Sequence, residues 1–331
     1  MSRILVTGGA GFIGSHTVDA LINAGHDVIV IDNLSSGKKT HIHQSAHFYQ
    51  MDIRDPALAS IFKKHSPEFV YHFAAQINVR HSVSDSFNDA NINILGSLNV
   101  LENARLSGVK KIIFSSTGGV MYGEARAIPT QETHPSYPTS PYAIAKRTME
   151  NYLQFYHNNY HLPFVAFRYA NVYGPRQDNK GEAGVIAIFI EAITRGKIPT
   201  IYGDGSQTRD FIFIQDVVKA NLSALESSKT SEAIAVESSR SKRSKGVFLQ
   251  APLIGIYNVS TAQETSIREL FHIIQRVLSF PHEAKYGDLP SGEVRRSALD
   301  FQKLYSENQW SPDFSLEQGI VKTCEWWKQI A

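Results

Sequence analysis

The sequence has very little cysteine and no long apolar run. Cys324 is the single cysteine, so no internal disulfide can form and a reducing compartment is expected. No uninterrupted apolar stretch approaches the roughly 18 residues needed to cross a bilayer. The first residues lead at once into a short apolar run that ends in glycines, which we interpret as a strand and not as a signal peptide. A soluble cytoplasmic protein is expected.

The sequence also lacks an excess of charge of either sign and a cluster of metal ligands. Its 33 lysines and arginines nearly balance 31 aspartates and glutamates, which argues against nucleic acid or an anionic membrane as a partner. The 13 histidines are scattered, without cysteines or carboxylates at ligand spacing. Small molecules are therefore the expected partners, and no metal is expected.

The first half of the chain alternates short β-branched runs with amphipathic helical segments. In the helix predicted over 14–24, Val18, Leu21 and Ile22 form an apolar stripe and Gly25 supplies the stop. Such alternation predicts an α/β fold with a Rossmann-like, doubly wound parallel sheet. The predicted strands cover residues 3–7, 27–32, 47–52, 69–75, 111–116 and 164–169.

After Tyr169 the pattern loosens into loops rich in proline and glycine, with helices predicted over 185–194 and 316–330. We interpret this half as a smaller C-terminal α/β lobe that binds substrate. The segment 227–250 is polar and charged, which predicts a surface loop. The predicted division is a cofactor-binding domain over 1–170, to which 209–226 and 255–261 return, and a substrate lobe over 171–208 and 262–331.

Three glycines, Gly8, Gly11 and Gly14, follow the first predicted strand and open the first helix. Glycines there allow a tight turn and let backbone N–H groups approach a pyrophosphate at the positive end of the helix. Asp32 ends the second strand about 20 residues on, where a carboxylate binds the adenosine ribose hydroxyls and repels a 2′-phosphate. The predicted cofactor is therefore NAD and not NADP.

Tyr142 and Lys146 stand four residues apart in a predicted helix that begins at Pro141. That spacing places both side chains on one helix face. The lysine ammonium stabilises a phenolate beside it, which prepares the tyrosine to take a proton from an alcohol. Ser116 and Thr117 end a strand upstream and supply a hydroxyl to the same site.

These motifs together resemble the extended short-chain dehydrogenase/reductase family, and further stretches narrow the resemblance to its UDP-glucose 4-epimerase group. The similarity runs over nearly the whole chain apart from 227–246. The stretches that carry it are 32–37, 116–124, 168–177, 181–185 and 203–211.

The resemblance implies that the protein keeps NAD bound and inverts carbon 4 of a UDP-hexose, most simply between UDP-glucose and UDP-galactose. Tyr142 would deprotonate the sugar 4-hydroxyl while carbon 4 gives hydride to NAD. The 4-keto sugar would then turn over and be reduced on its other face. Thr117 would align the hydroxyl, and Lys146 would hold the nicotinamide ribose.

The same resemblance implies two sets of binding residues. The cofactor residues are Gly8, Gly11, Phe12, Ile13, Gly14, Asp32, Asn33, Asp52, Ile53, Ala74, Ala75, Asn93, Ser115, Tyr142, Lys146 and Tyr169. The substrate residues are Thr117, Tyr142, Asn171, Arg209, Glu293 and Ser297. In this set Asn171 and Arg209 hold the diphosphate, since an arginine donates in pairs to phosphate oxygens, and Glu293 contacts the uridine ribose.

The sequence departs from this group at Pro290, where relatives carry a diphosphate-binding arginine. Arg295 or Arg296 could compensate from nearby. Ser297 falls where a gatekeeper residue limits the space beside sugar carbon 2, and it is small. It either leaves room for an N-acetyl group or merely fills a strand position, so a UDP-GlcNAc/UDP-GalNAc 4-epimerase, or an enzyme of dual specificity, is the alternative.

Three further alternatives remain within the same fold. A nucleotide-sugar 4,6-dehydratase requires an Asp-Glu pair after the catalytic threonine, where this chain has Gly118 and Gly119. A UDP-glucuronate decarboxylase or epimerase requires contacts for a carboxylate, and none is identified. A non-catalytic NAD(H) sensor typically loses the tyrosine or lysine, and both persist.

The resemblance also implies a homodimer, in which the helices predicted over 91–107 and 142–160 pack against their mates. The apolar positions of these helices fit burial, either between subunits or within one. Those positions are Ile94, Leu98, Leu101, Met149 and Leu153.

Overall fold

The structure is a computed structural model, and it describes residues 1–178, 184–237, 252–288 and 294–330. Its strands are β1 (Arg3–Thr7), β2 (Asp27–Asp32), β3 (His47–Gln50), β4 (Phe69–His72), β5 (Lys111–Thr117), β6 (Phe164–Tyr169), β7 (Asn171–Tyr173), β8 (Thr200–Tyr202), β9 (Thr208–Arg209), β10 (Phe211–Phe213), β11 (Gly255–Val259), β12 (Thr265–Ser266), β13 (Lys285–Gly287) and β14 (Arg296–Ser297).

The helices lie mainly between these strands. They are α1 (Phe12–Asn23), α2 (Leu58–His65), α3 (Val79–Ser84), α4 (Ser86–Ala90), α5 (Ser97–Leu106), α6 (Pro141–Tyr160), α7 (Val185–Thr194), α8 (Ile214–Glu237), α9 (Ile267–Leu278), α10 (Gln302–Asn308) and α11 (Leu316–Ile330), with a 3-10 turn at Lys39–His41 and a π-helical segment at Asn91–Gly96 before α5.

A seven-stranded sheet of parallel strands forms the centre, in the order β11-β6-β5-β4-β1-β2-β3. The chain builds outward from β1 through β2 and β3, and then crosses back to add β4, β5 and β6 on the other side. This is the doubly wound arrangement, so the predicted fold class is confirmed. The reversal of direction between β1 and β4 opens a crevice at the carboxyl ends of the strands, where ligands bind in such sheets.

Both faces of the central sheet are buried, which explains why its strands are continuous apolar runs and do not alternate with polar residues. In β1, Ile4 and Val6 belong to the cluster that includes Val18 of α1. Leu5 points to the opposite face and packs in the cluster that includes Met149 of α6. The sheet is therefore held between α1 and α8 on one side and α2, α5 and α6 on the other.

The second lobe is built from small sheets and three helices. β10 pairs with β7, β13 pairs with β8, and β9 lies between β12 and β14. Helices α7, α9 and α11 pack on one another. In α9 the apolar positions Ile267, Leu270, Phe271 and Ile274 recur at helical spacing and are all buried.

Several predicted elements differ from the structure in instructive ways. The strands predicted over 47–52 and 69–75 end earlier, at Gln50 and His72, because the residues that follow leave the sheet to line a cleft. Helix α8 continues to Glu237, so the first part of the predicted loop over 227–250 is helical, and 238–250 lies outside the described residues. Within the described ranges, no helix is both long and apolar enough to cross a membrane.

Candidate active site

Two cavities adjoin beyond the carboxyl ends of the central strands. The larger is a cleft of about 710 Å³ whose wall includes the glycine turn, residues that follow β2, β3 and β4, and the last residues of β5. The smaller, of about 490 Å³, is lined by residues of β7, α7, β8 and β9. Ala170, Val172 and Gln177 line both, so a ligand in one cavity can contact a ligand in the other.

The glycine turn after β1 is too tightly packed to carry side chains. Gly8 has φ of +71°, and a Cβ there would lie 2.6 Å from the backbone nitrogen of Ala74. A Cβ on Gly14 would lie 2.1 Å from the carbonyl oxygen of Gly8. The bare backbone of this turn and the first turn of α1 border the larger cleft, an arrangement that fits the pyrophosphate of a dinucleotide.

Asp32 ends β2 at the cleft, and its carboxylate fixes the glycine turn. Its Oδ2 accepts the N–H of Ala10 at 3.0 Å, and its Oδ1 accepts the N–H of Leu34 at 2.8 Å. Each carboxylate oxygen retains a further lone pair, so Asp32 can still accept hydrogen bonds from ribose hydroxyls. A phosphate on the same ribose would be repelled, which favours NAD over NADP.

Asp52 and Asn33 form a polar rim on the same cleft. Arg54 donates to both oxygens of Asp52, at 2.8 and 2.9 Å, and Asn33 Nδ2 donates at 2.9 Å. The hydrogen bonds from Arg54 hold the pKa of the Asp52 carboxyl well below its usual range. The Asp52 carboxylate is therefore charged and is held in a fixed position at the edge of the cleft.

Helix α6 places Tyr142 and Lys146 together in the cleft. The helix begins where Ser140 accepts the N–H of Ala143 at 3.2 Å and Pro141 occupies the first turn. Lys146 Nζ lies 5.8 Å from the centre of the Tyr142 ring and donates to the carbonyl of Ser115 at 2.8 Å. Burial lowers the pKa of Lys146 to about 8, against the opposing charges of Asp89 and Glu150.

Thr117 ends β5 and lines the same cleft as the tyrosine and lysine. The backbone that follows is closely confined. Gly118 donates its N–H to the carbonyl of Tyr169 at 2.9 Å, and a Cβ at Gly118 would lie 2.2 Å from Leu299 Cδ1. A Cβ at Gly119 would lie 3.1 Å from Asn171 Oδ1. An Asp-Glu pair at these positions would therefore require the side chains of Leu299 and Asn171 to move.

A buried ion pair anchors α6 to the ends of the central strands. Glu150, one turn beyond Lys146, accepts from Arg168 on β6 at 2.8 and 2.6 Å. Ser116 on β5 donates to the same carboxylate at 2.7 Å, and Arg147 adds a bond at 3.0 Å. Glu150 and Arg168 are each 1 % exposed. This network fixes the helix that carries Tyr142 relative to Thr117.

The smaller cavity combines polar donors with an apolar wall. Asn171 and Arg209, both predicted to hold a diphosphate, line it, while Ile186, Phe189 and Phe211 supply apolar surface. Arg209 donates to the carbonyl of Thr208 at 2.8 Å. Such a cavity can take a flat ring against its apolar side and an anion at its arginine.

The structure brings most of the predicted site residues together, with three exceptions. Asn93 does not line the cleft: it is buried behind Gln76, whose main chain it binds at 2.9 Å through both its donor and its acceptor. Ser297 lines neither cavity and instead pairs in register with Arg209 on β9. Glu293 lies outside the described residues. The predicted residues that do line the larger cleft are Gly8, Gly11, Phe12, Ile13, Gly14, Asp32, Asn33, Asp52, Ile53, Ala74, Ala75, Ser115, Thr117, Tyr142, Lys146 and Tyr169.

Several residues to which the sequence analysis assigns no role also lie at the site. Gln76, Asn78 and His81 line the larger cleft, Arg80 lines the smaller cavity, and Gln177 lines both. The sequence does contain a signal for Gln76, Asn78 and His81. They are polar residues shortly after a parallel strand, and the carboxyl end of such a strand is where ligands bind. The strand predicted over 69–75 hides this signal, because it places the end of β4 three residues later than the observed end at His72.

The sequence model of the NAD-dependent epimerase/dehydratase family matches residues 4–236 of the chain. The chain is also similar over its whole length to solved structures. One is a UDP-glucose 4-epimerase of Thermotoga maritima with UDP-glucose, at 43% identity and a TM-score of 0.89, covering 99% of both chains.

Two further solved structures are similar to the chain. A UDP-glucose 4-epimerase of Thermus thermophilus in complex with NAD is 37% identical, with a TM-score of 0.87, covering 99% of this chain and 100% of the other. A UDP-N-acetylglucosamine 4-epimerase of Methanobrevibacter ruminantium in complex with UDP-N-acetylmuramic acid is 36% identical, with a TM-score of 0.87, covering 100% of this chain and 99% of the other.

Proposed function

This chain belongs to the NAD-dependent epimerase/dehydratase family and uses NAD as its cofactor, and from that premise we propose that it inverts carbon 4 of a UDP-hexose, interconverting UDP-glucose and UDP-galactose. The observation that carries the proposal is the position of Tyr142, Lys146 and Thr117 in one cleft, which adjoins a cavity lined by Asn171 and Arg209. Similarity to a UDP-glucose 4-epimerase at 43% identity supports the choice of sugar.

Tyr142 acts as the general base on the sugar 4-hydroxyl and later returns the proton. Lys146 favours the phenolate form because its ammonium lies on the same helix face, 5.8 Å from the ring centre. Thr117 donates or accepts a hydrogen bond at the same hydroxyl and so aligns it with the phenol. The chemistry that bound NAD supplies is reversible acceptance of a hydride from carbon 4.

Several groups of the chain hold NAD for that chemistry. The backbone of the glycine turn and the first turn of α1 receive the pyrophosphate, Asp32 receives the adenosine ribose, and Lys146 receives the nicotinamide ribose. Tyr169 closes the inner end of the cleft, where its hydroxyl donates to Asn221 Oδ1 at 2.7 Å. That bond keeps the ring fixed.

Elimination of water from the sugar is not supported by this site. A dehydratase needs an acid and a base directly after the threonine, and Leu299 occupies the space that a side chain at Gly118 would need. At positions 118 and 119 the chain therefore offers no acid or base for removal of a proton from carbon 5. This favours reduction of the keto sugar on its other face, which gives the epimer.

A second candidate function is 4-epimerisation of UDP-GlcNAc and UDP-GalNAc. The similarity to a UDP-N-acetylglucosamine 4-epimerase at 36% identity favours it. Ser297 is small and adjacent in register to Arg209, although it lines neither cavity, so its proposed role as gatekeeper requires a direct test. An enzyme of dual specificity would catalyse both epimerisations.

The purified protein, assayed without added NAD, is expected to epimerise UDP-galactose because the cofactor remains bound. UDP-GalNAc is measured in parallel, with formation of the gluco epimer followed by a coupled assay.

If Ser297 is the gatekeeper, Ser297→Tyr lowers turnover of UDP-GalNAc by about tenfold or more and leaves UDP-galactose turnover largely intact.

The matched control is Ser306→Tyr, a change of the same kind on the exposed surface of α10, which should alter neither rate. No turnover of either sugar by NAD-loaded protein would rule out the proposed function. Equal effects of Ser297→Tyr on both sugars would rule out the gatekeeper.

We also propose that the protein forms a symmetric homodimer, through apolar side chains that the monomer leaves exposed. Leu101, Met149 and Leu153 are buried within the monomer, and Ile94 and Leu98 pack against the same cluster. Other apolar side chains on these and the adjoining helices are exposed: Phe87 of α4 is 84% exposed and Leu95 of the π-helical segment is 61% exposed. The exposed apolar set is Val83, Phe87, Leu95, Ile144 and Phe155.

These side chains belong to α3, α4, the π-helical segment and α6, and α6 packs against each of the others. A concentration of exposed apolar residues on adjoining helices is typical of a subunit interface.

The double variant Phe87→Lys/Leu95→Lys is expected to be monomeric at micromolar concentration in light scattering, where the unmodified protein is dimeric. Tyr286→Lys, which changes an exposed tyrosine of β13, should stay dimeric. A monomeric unmodified protein would contradict the proposal.

A further inference from the structure

The segment 174–178, which follows β7, lies where the two cavities meet. Gln177 lines both cavities, and Asp178 lines the larger cleft. Phe12 and Ile13, in the first turn of α1, line the same cleft. A cofactor held at the first turn of α1 therefore shares the cleft with this segment.

Two interactions join the segment to α1. Nε2 of His16 donates to the carbonyl of Pro175 at 2.9 Å, since a carbonyl oxygen can only accept. Nη2 of Arg176 lies 2.8 Å from Oδ2 of Asp19 in an ion pair. His16 and Asp19 are three residues apart and so occupy one face of the helix. We call His16, Asp19 and Arg176 together the α1 tether.

The α1 tether is largely shielded from water. The side chains of Asp19 and Arg176 are 26% and 27% exposed, so solvent screens their attraction less than that of a surface ion pair. Burial lowers the pKa of His16, against the raising effect of its hydrogen bond to Pro175, so the ring is uncharged at neutral pH. The ring of Phe12 meets that of His16 edge-on, with centroids 6.1 Å apart. The tether thus contacts a residue of the cleft wall.

The backbone at Arg176 has the left-handed conformation, with φ of +66°. A residue with a Cβ adopts this conformation at a cost in free energy, and it persists where surrounding interactions compensate. The next residue, Gln177, donates from Nε2 to the carbonyl of Val172 at 3.0 Å. The turn therefore places the guanidinium of Arg176 at α1 while Gln177 stays at the junction of the two cavities.

We infer that the α1 tether retains the dinucleotide cofactor, by holding the segment 174–178 against the helix whose first turn borders the cleft. Asp19 and Arg176 do not line the cleft and act as positioning residues through Gln177. In the proposed reaction the reduced cofactor has to stay bound until it returns the hydride, so slow release protects the keto sugar from losing its reductant. The inference depends on NAD as the cofactor and not on the identity of the sugar.

The test measures the release of NADH without any sugar. Protein loaded with NADH is mixed with excess NAD, and the change in fluorescence is followed by stopped flow. Asp19→Asn keeps the size of the side chain and removes its charge, and it is expected to speed release about 5- to 20-fold. His16→Phe keeps a ring but removes the donor, and it should speed release about 2- to 5-fold. Added salt should speed release from the unmodified protein more than from Asp19→Asn.

Exchange of the two charges separates the ion pair from a general loss of structure. Asp19→Arg/Arg176→Asp restores opposite charges at the two positions, and an aspartate tolerates the left-handed backbone at 176. Each single change should speed NADH release, and the double variant should recover at least half of the lost retention. Circular dichroism of each variant checks that the fold is kept.

The matched control is Asp313→Asn, the same chemical change in an ion pair with Lys219 at 2.7 Å. Neither of these two residues lines a cavity, so NADH release should be unchanged. Release that is unaffected by Asp19→Asn would overturn the inference, and so would a double variant that releases NADH as fast as the single variants. If the protein epimerises no UDP-sugar, the proposed function fails while the release rates still decide the role of the tether.

Discussion

Tyr142→Phe is expected to lower kcat for epimerisation by about three orders of magnitude or more, because the phenol oxygen is the proposed general base. The ring remains, so α6 and its buried anchor to β5 and β6 should be unaffected. Bound NAD, measured after denaturation of the purified variant, should stay close to the level of the unmodified protein. The change therefore separates chemistry from folding and from cofactor binding.

Tyr152→Phe is the matched control, since it removes the hydroxyl of a partly exposed tyrosine on the same helix. Its kcat should be unchanged. A Tyr142→Phe variant that keeps a tenth or more of the activity would show that another group takes the proton. A variant that loses both activity and NAD would leave the base undefined, and Lys146→Met would then be compared with it at matched NAD content to decide between the two effects.

Glu150→Ala is expected to lower the free energy of unfolding by about 3–5 kcal/mol, because it leaves the buried Arg168 guanidinium without its anion. Ser116 also loses its hydrogen-bond acceptor. Chemical denaturation followed by circular dichroism measures the loss. Glu150→Gln should lose less, since the amide oxygen can still accept from Arg168 and Ser116.

Glu317→Ala provides the control for this prediction, because its ion pair with Arg276 is long, at 3.9 Å, and exposed. It should change the unfolding free energy by less than about 1 kcal/mol. The double variant Glu150→Leu/Arg168→Met should recover part of the loss, since no buried charge then remains unpaired. A loss below about 1 kcal/mol for Glu150→Ala would indicate that water reaches the ion pair.

Much of the fold could be predicted because its signals are local. The strands predicted over 3–7, 27–32 and 164–169 have the observed bounds, since each is rich in β-branched or aromatic residues and is followed by polar or glycine-rich sequence. Helices α7 and α11 also have their predicted bounds. The glycine turn and the Tyr142–Lys146 pair could be placed because their chemistry depends on spacing within one turn and one helix.

What could not be predicted depends on contacts between segments distant in the sequence. The second arginine of the smaller cavity comes from residue 80 and the first from residue 209, and sequence spacing does not show that they share a wall. The resemblance implies a cofactor role for Asn93, whereas the structure places Gln76 between this residue and the cleft. The apolar residues available to a partner subunit could not be separated from those of the core, because both follow the same helical period.

The contact between Gly118 and Leu299 has a consequence for how such a chain can acquire a new reaction. The backbone of Leu299 is held, because its N–H donates to Asp210 at 3.2 Å and its carbonyl accepts from Ser260 at 2.9 Å, so room for a side chain at 118 has to come from a change in the leucine side chain. An acidic residue introduced at 118 alone would displace that side chain, whereas a smaller residue at 299 would provide the space at the expense of a cavity. The effect of a substitution at 118 therefore depends on the residue at 299, and the order in which the two substitutions arise affects how well each is tolerated.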